Sequence, residues 1–460
     1  MKKVYQQYII AVTVSICLSL TSCENLVEVE DPTNQISANL VFEDMQTANA
    51  ALAGVYAGLW EDSPISGGAK GSGPLLGIYA DDLDNYASSI TNAEYDLYQN
   101  IHIDNNSAVL AYWTSAYQKV YQVNAILEGV EVSSGISQQN KQRLKGEALA
   151  IRSVLFFYLQ QTFGAIAYPV TTNYQINQTI SRTASDEVLE RLESDLKESI
   201  SLLSDQYRES ERIVLNRKAA EFLLAKVLVT QGKWGEAEIL LKGIISDPQY
   251  QFENDISKVF LKTGKHILWQ LKPKNAVDPT KESTLYYFAN SAPSIHALSN
   301  DLINSFTAGD LRRNQWVTGV TFNQVIKYRA SKYKATSNNS TEYSIVFRLE
   351  EVNLLLAESL ANQDKLSEAI PLINLTRQRA GLPALPLTLS KLQTLQEITA
   401  ENRKEFFAEM GNRFMHLKRR NLLSELVLSK PNFKTFHRVW PVPMKELLLN
   451  KNLYPQNEGY

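Results

Sequence analysis

Apolar residues recur at helical spacing over most of the chain. Ala48, Leu52, Val55, Tyr56 and Leu59 fall on one helix face, and Trp113, Ala116, Val120, Val123 and Leu127 on another. The same period predicts helices over 138–162, 185–204, 216–231, 234–246, 350–362, 365–380 and 391–418. Two stretches break it. Residues 60–106 contain Pro64-Ile65-Ser66-Gly67-Gly68 and Gly71-Ser72-Gly73-Pro74 and read as a long loop, which in a compact domain is usually functional or disordered. Residues 251–345 contain two apolar runs, Ile267–Leu271 and Thr321–Ile326, that predict short strands between polar loops.

Two helix pairs look like copies of one unit. Ala225 and Ala237 flank the turn Gln231-Gly232-Lys233-Trp234, and Ala357 and Ala369 flank Asn362-Gln363-Asp364-Lys365. Small residues at this spacing, with a helix-breaking turn between them, resemble tetratricopeptide repeats. The predicted fold is therefore dominated by α-helix: a tetratricopeptide-like helix-pair superhelix with a loop-rich, partly β insertion. Helical regions at 41–250 and 346–460 flank the insertion at 251–345.

The N-terminus has a different character. Lys2 and Lys3 precede the apolar run Ile9–Leu20, which is shorter than the roughly 20 residues that span a bilayer. It ends at Leu20-Thr21-Ser22-Cys23, which resembles a bacterial lipobox. Residues 1–22 are then a lipoprotein signal peptide, Cys23 the lipidated N-terminus and 23–40 a polar tether with turn chemistry at Asp31-Pro32-Thr33-Asn34. Acyl chains contribute about 0.8 kcal/mol per buried CH₂, so two or more hold a protein stably at a membrane.

Composition narrows the chemistry. A net charge of -3 on 460 residues lacks the basic excess of a nucleic-acid binder. Cys17 and Cys23 are the only cysteines, so a chain cut before Cys23 has no disulfide, cysteine nucleophile or thiolate metal site. The five histidines never pair at i+3 or i+4, and no H-E-x-x-H, G-x-S-x-G or P-loop occurs. Gly71–Gly77 is too long for a dinucleotide fingerprint, and Asp81-Asp82-Leu83-Asp84 lacks the glycine and distal glutamate of an EF-hand loop. No cofactor, metal site or catalytic constellation is expected. Paired carboxylates are the exception, because two acids from distant positions suffice for glycoside hydrolysis.

The most distinctive motifs lie in the last third. Phe347-Arg348-Leu349-Glu350 opens a helix that runs to Ala357-Glu358, and Asn374-Leu375-Thr376-Arg377-Gln378-Arg379-Ala380-Gly381-Leu382 follows. Glu401-Asn402-Arg403 leads to His416-Leu417-Lys418-Arg419, and the chain closes on Trp440-Pro441-Val442-Pro443 and Asn457-Glu458-Gly459-Tyr460. Earlier, Trp113, Tyr117 and Asn124 precede Gly146-Glu147-Ala148-Leu149-Ala150-Ile151-Arg152 and Phe163-Gly164. Together these resemble the SusD/RagB family of outer-membrane lipoproteins along essentially the whole mature chain; Asn402, Met410, Asn412 and His416 depart from its pattern. Glu401, Glu405 and Glu409 repeat every four residues and would repel without basic partners, for which Arg348, Arg403 and Arg413 are the candidates.

The resemblance implies capture of an extracellular nutrient, an oligosaccharide or a peptide, at the cell exterior, for delivery to a SusC-like TonB-dependent transporter. A lipid-anchored glycosidase and a ligand-free helical scaffold are the rival readings. Sugar sites pair flat aromatic rings with polar groups for the hydroxyls. Two segments offer them: Trp60, Tyr79, Asp82, Tyr86 and Tyr95 in 60–106, and Tyr286, Tyr287, Arg312 and Trp316 in the insertion.

Overall fold

The computed structural model describes residues 2–6, 41–87 and 92–460. The chain divides into a segment through Val41 and a compact body, Phe42–Tyr460. Cys23 and the tether lie outside the described residues.

Within the body, helices pack on their sequence neighbours. After α1 (Met45–Glu61), α2 (Ser72–Tyr79) and α3 (Ala93–Gln99) come the long antiparallel helices α4 (Ser107–Val132) and α5 (Gln138–Phe163), then α6 (Ser185–Leu202), α7 (Arg217–Thr230) and α8 (Trp234–Ile245). The C-terminal part adds α9 (Leu349–Asn362), α10 (Leu366–Arg379), α11 (Lys391–Phe406) and α12 (Asn412–Arg419). From α4 to α11 each packs on the next, with α8 against α9 across the intervening strands, which makes a superhelix of tetratricopeptide-like pairs. Ala225, Ala237, Ala357 and Ala369 are all fully buried where the paired helices meet. Both turns need a left-handed residue, Gly232 (φ 75°) in one and Asp364 (φ 62°) in the other. The two pairs are joined by Glu238, which accepts from Lys242 (2.7 Å), Lys365 (2.6 Å) and Gln363 (2.8 Å).

Two predicted elements turn out differently, and one contact explains both. The 60–106 segment is not an open loop. All eight residues of α2 are buried, so this helix shows no polar face and no amphipathic period in the sequence. The predicted helix over 391–418 breaks after Phe406 and restarts at Asn412, through positive φ at Ala408 (58°), Met410 (48°) and Gly411 (69°). The break is where α2 lies. A Cβ on Gly73 would stand 3.1 Å from the Ala408 carbonyl oxygen, and one on Gly411 2.5 Å from Leu76 Cδ1. These glycines let the backbones approach, and the helix yields to the contact.

The acidic repeat becomes a buried network. Glu405 accepts from Arg348 Nη1 (2.6 Å), Arg379 Nη2 (2.5 Å) and Arg312 Nη1 (3.3 Å). Arg312 also binds Asp310 and Glu401, while Arg348 and Lys332 bind Glu409. Of the expected partners, Arg348 joins this network. Arg403 and Arg413 instead bind Asp81 and Asp82 at the end of α2. The fold also joins His102 and His437, far apart in sequence, in an aromatic cluster around Tyr79 and Trp440. Burial brings these imidazoles down to about 3 and about 4, so both are neutral packing groups. His416 lies 3.8 Å from Glu358, but burial holds it at about 3; the carboxylate's charged partner is Arg419 at 2.7 Å.

Candidate functional site: a tyrosine and cation face on a mixed-origin sheet

The strands bring distant segments together. β1 (Leu83–Asn85) comes from the 60–106 segment; β2 (Ile267–Leu271), β3 (His296–Leu298), β4 (Val317–Phe322) and β5 (Val325–Ala330) follow, and β6 (Ser344–Arg348) leads into α9. β2 and β6 pair antiparallel at the two ends of the insertion. The other four form a sheet in the order β1-β3-β5-β4. The run over Thr321–Ile326, expected as one strand, is the tip of the β4–β5 hairpin. Asn323 (φ 47°) and Gln324 (φ 65°) take the two left-handed positions that such a tight turn needs.

β1 is held from below. Arg413 donates to Asp81 through Nε (2.8 Å) and Nη2 (2.9 Å), and Arg403 reaches both Asp81 (3.1 Å) and Asp82 (3.2 Å). Burial works against ionisation of Asp81, but the Arg413 bonds and Arg403 charge bring its carboxyl below the ordinary value. Burial dominates at Asp82 and raises it. Ser299, at the end of β3, bonds the carbonyls of Asp81 (2.5 Å) and Asp82 (2.9 Å), which sets the start of the β1–β3 ladder.

Above this base the strand period sorts the side chains. Asp84 pairs with Ala297, and the Tyr86 N–H reaches the Ile295 carbonyl. On β5, Lys327 and Arg329 are two residues apart and share one face. Lys327 Nζ lies 5.0 Å from the centre of the Tyr86 ring, and Arg329 Cζ 4.3 Å from that of Tyr287. The Asp84 carboxylate accepts from Tyr98 (3.2 Å) and, at 3.5 Å, from Tyr86. Burial and the Asp84 charge raise the Tyr98 phenol, so the ring keeps its proton as a donor. Tyr86, Tyr95, Tyr98, Lys327 and Arg329 are half-buried, and Tyr287 is 46% exposed. Arg313 sits over Tyr328 (4.5 Å) on the reverse face.

Burial corrects six of the residues named from sequence. Tyr79 is fully buried and donates to the His437 carbonyl. Trp316 is 1% exposed with its indole N–H on the Ile256 carbonyl, and Arg312 is sealed inside the carboxylate network. Asp82 is spent on Arg403, Tyr286 is core, and Trp60 is buried with Lys281 over its ring at 4.5 Å. None can meet a ligand at a preformed surface. Tyr86, Tyr95 and Tyr287 are the three that reach the surface, and the sheet brings the segments of Tyr86 and Tyr287 together. Tyr98, Lys327 and Arg329 were not singled out from sequence. The alternation Lys327-Tyr328-Arg329 was the one available signal, and it gains meaning only from the strand beside it.

A second aromatic groove runs between α4 and the C-terminal segment, past Trp113, Tyr117, Tyr121, Tyr174 and Leu449. Of its amides, Asn124, Asn177 and Asn450 donate to the carbonyls of Pro169, Thr171 and Ile180, while Gln118 and Gln178 make no side-chain hydrogen bond among the described residues.

Comparison with known proteins agrees with the architecture. Residues 30–229 match a SusD-like family described as starch-binding and associating with the outer membrane, and residues 272–430 match the SusD family. The chain belongs to the SusD/RagB family. Two SusD-like proteins of Formosa agariphila are 23% and 26% identical to it, each alignment covering 98% of this chain and 99% of the relative. A SusD superfamily protein of Bacteroides vulgatus superposes with a TM-score of 0.80 at 20% identity, covering 91% of this chain and 99% of the other. Surface glycan-binding protein A of Bacteroides thetaiotaomicron, solved with laminarihexaose, gives 0.76 at 18% identity over 90% and 99%. This SusD-family chain thus carries the family's helical scaffold, and proteins of its family associate with the outer membrane.

Proposed function

We propose that this protein captures an extracellular oligosaccharide, without turning it over, on the face formed by Tyr86, Tyr98, Tyr287, Lys327 and Arg329. The observation that carries the reading is the β1-β3-β5 pairing, which collects half-exposed tyrosines from two distant segments onto one rigid surface. Flat rings give contact area to sugar C–H faces at little entropic cost, and Asp84 and the cations offer partners for hydroxyls. The laminarihexaose-bound relative with the same fold supports a glycan as the ligand. Asp84 is the one carboxylate among these side chains and is engaged by tyrosine hydroxyls, whereas glycoside hydrolysis needs two.

Tyr86→Ala and Tyr287→Ala are each expected to weaken binding by roughly 0.5–3 kcal/mol while the thermal midpoint stays at the wild-type value. Calorimetric titration against a panel of oligosaccharides and peptides is the measurement, and wild-type affinity in both variants would move the site elsewhere.

The rest of the role comes from the family. Cys23 anchors the protein at the outer membrane by its acyl chains, facing the cell exterior, and captured ligand passes to a SusC-like TonB-dependent transporter. Among the described residues no helix is long and apolar enough to cross a membrane. Tagged wild-type protein is expected in the membrane fraction together with a transporter-sized barrel, and Cys23→Ala in the soluble fraction. A variant that stays with the membranes would dismiss the lipid anchor.

A further inference from the structure

We propose that the ligand is an acidic oligosaccharide, bearing carboxylate or sulfate groups, and that Lys327 and Arg329 are the residues that read its charge. The inference rests on the glycan-binding reading above and narrows it.

Most cations buried in the scaffold of this protein are neutralised by carboxylates or held by backbone carbonyls, as Lys418 and Lys430 are. Arg312, Arg348, Arg379, Arg403 and Arg413 each lie against a carboxylate, at 2.5 to 2.9 Å at their closest. Lys327 and Arg329 differ: among the described residues no carboxylate oxygen comes within 4.0 Å of either. Each rests on a tyrosine ring instead. Stacking fixes a cation's position while its N–H groups stay available for an acceptor. Arg329 spends Nη1 on the Phe288 carbonyl (2.6 Å), and its other donors have no hydrogen-bond partner among the described residues. The nearby acid, Asp84, accepts from the hydroxyls of Tyr86 and Tyr98 and forms no ion pair with either cation. The positive character is local, since the whole chain carries -3.

The placement also disfavours a purely neutral ligand. A neutral sugar gains most by laying C–H groups on a bare ring, yet one face of Tyr86 and one of Tyr287 are taken by cations. An anionic substituent uses what is already there: it pairs with the cation, while the sugar ring packs on the remaining tyrosine surface. Lys327 and Arg329 stand about 7 Å apart along one face of the strand, so a single oligosaccharide can engage both. Arginine is suited to a planar carboxylate or a sulfate because its donors form two parallel bonds.

The test is calorimetric titration of the purified protein with three six-sugar probes: neutral laminarihexaose, hexagalacturonate for carboxylate and a carrageenan hexasaccharide for sulfate. At low salt an acidic probe is expected to bind on the order of tenfold tighter than laminarihexaose, and to weaken severalfold when salt rises to about 0.5 M. Lys327→Gln and Arg329→Gln are each expected to lose about three- to tenfold for the acidic probe, with unchanged thermal midpoints. The two acidic arms tell carboxylate from sulfate. Laminarihexaose bound at least as tightly as both acidic probes, with affinity indifferent to salt and to both variants, would overturn the acidic-ligand inference and leave the tyrosine face as a glycan site. Failure of all three probes to bind would overturn both.

Discussion

Glu405→Ala is expected to destabilise the body of the protein by roughly 3–5 kcal/mol, the range for removing one partner of a buried ion pair. Glu405 is fully buried and accepts from three arginines that reach it from different parts of the chain: Arg312 before β4, Arg348 at the end of β6 and Arg379 on α10. Without it, three guanidinium groups lose a shared counter-charge in a place water does not reach. Equilibrium urea unfolding checks this, and a loss under about 1 kcal/mol would mean that apolar packing alone joins these elements. The wild-type protein should show the same dependence in its acid limb. Although burial opposes ionisation, the three arginines hold Glu405 well below the ordinary carboxylate range, and Arg419 brings Glu358 down to about 2. Lowered folded values mean that this stability is complete above the unfolded value of 4.5 and is lost as pH falls toward about 2.

Asp81→Asn is expected to act on stability and on ligand capture together. Its carboxylate is gripped by Arg413 and touched by Arg403, so neutralising it should also cost roughly 3–5 kcal/mol. Asp81 lies two residues before β1, and its carbonyl accepts from Ser299, where β3 ends. A slip here displaces Asp84 and Tyr86 relative to Lys327, and binding should weaken with stability. Tyr86→Ala offers the contrast, with binding lost and stability kept. Unfolding midpoints and titrations on the two variants separate support of the site from contact with the ligand. Wild-type binding by a clearly destabilised Asp81→Asn would show that β1 keeps its register without this anchor.

Much of the scaffold was legible because helices are local. The apolar period at 138–162, 216–231, 234–246, 350–362 and 365–380 set helices whose bounds the structure moves by only a residue or two. The alanine pairs marked where two of these helices meet. Helix α2 escaped notice for a physical reason: an element buried on every side has no polar face to give it a period, and its Gly and Pro residues resemble a loop. The break in 391–418 escaped for a related one. Nothing between Phe406 and Gly411 forbids a continuous helix; α2 lying against the backbone there does.

The class of fold, the family and the kinds of residue a ligand would need are readable in the chain, since periodicity, motif and composition are properties of residues taken in order. Tertiary structure decided which residues those are. An aromatic ring serves the core or a ligand according to what covers it, and coverage comes from distant segments. Tyr79 and Trp316 are enclosed by the C-terminal elements and the insertion, while Tyr86 and Tyr287 stay open at the sheet face. The partners of these open rings, Lys327 and Arg329, stand next to them because β3 bridges β1 to β5, a pairing between residues more than 200 positions apart that no local pattern encodes.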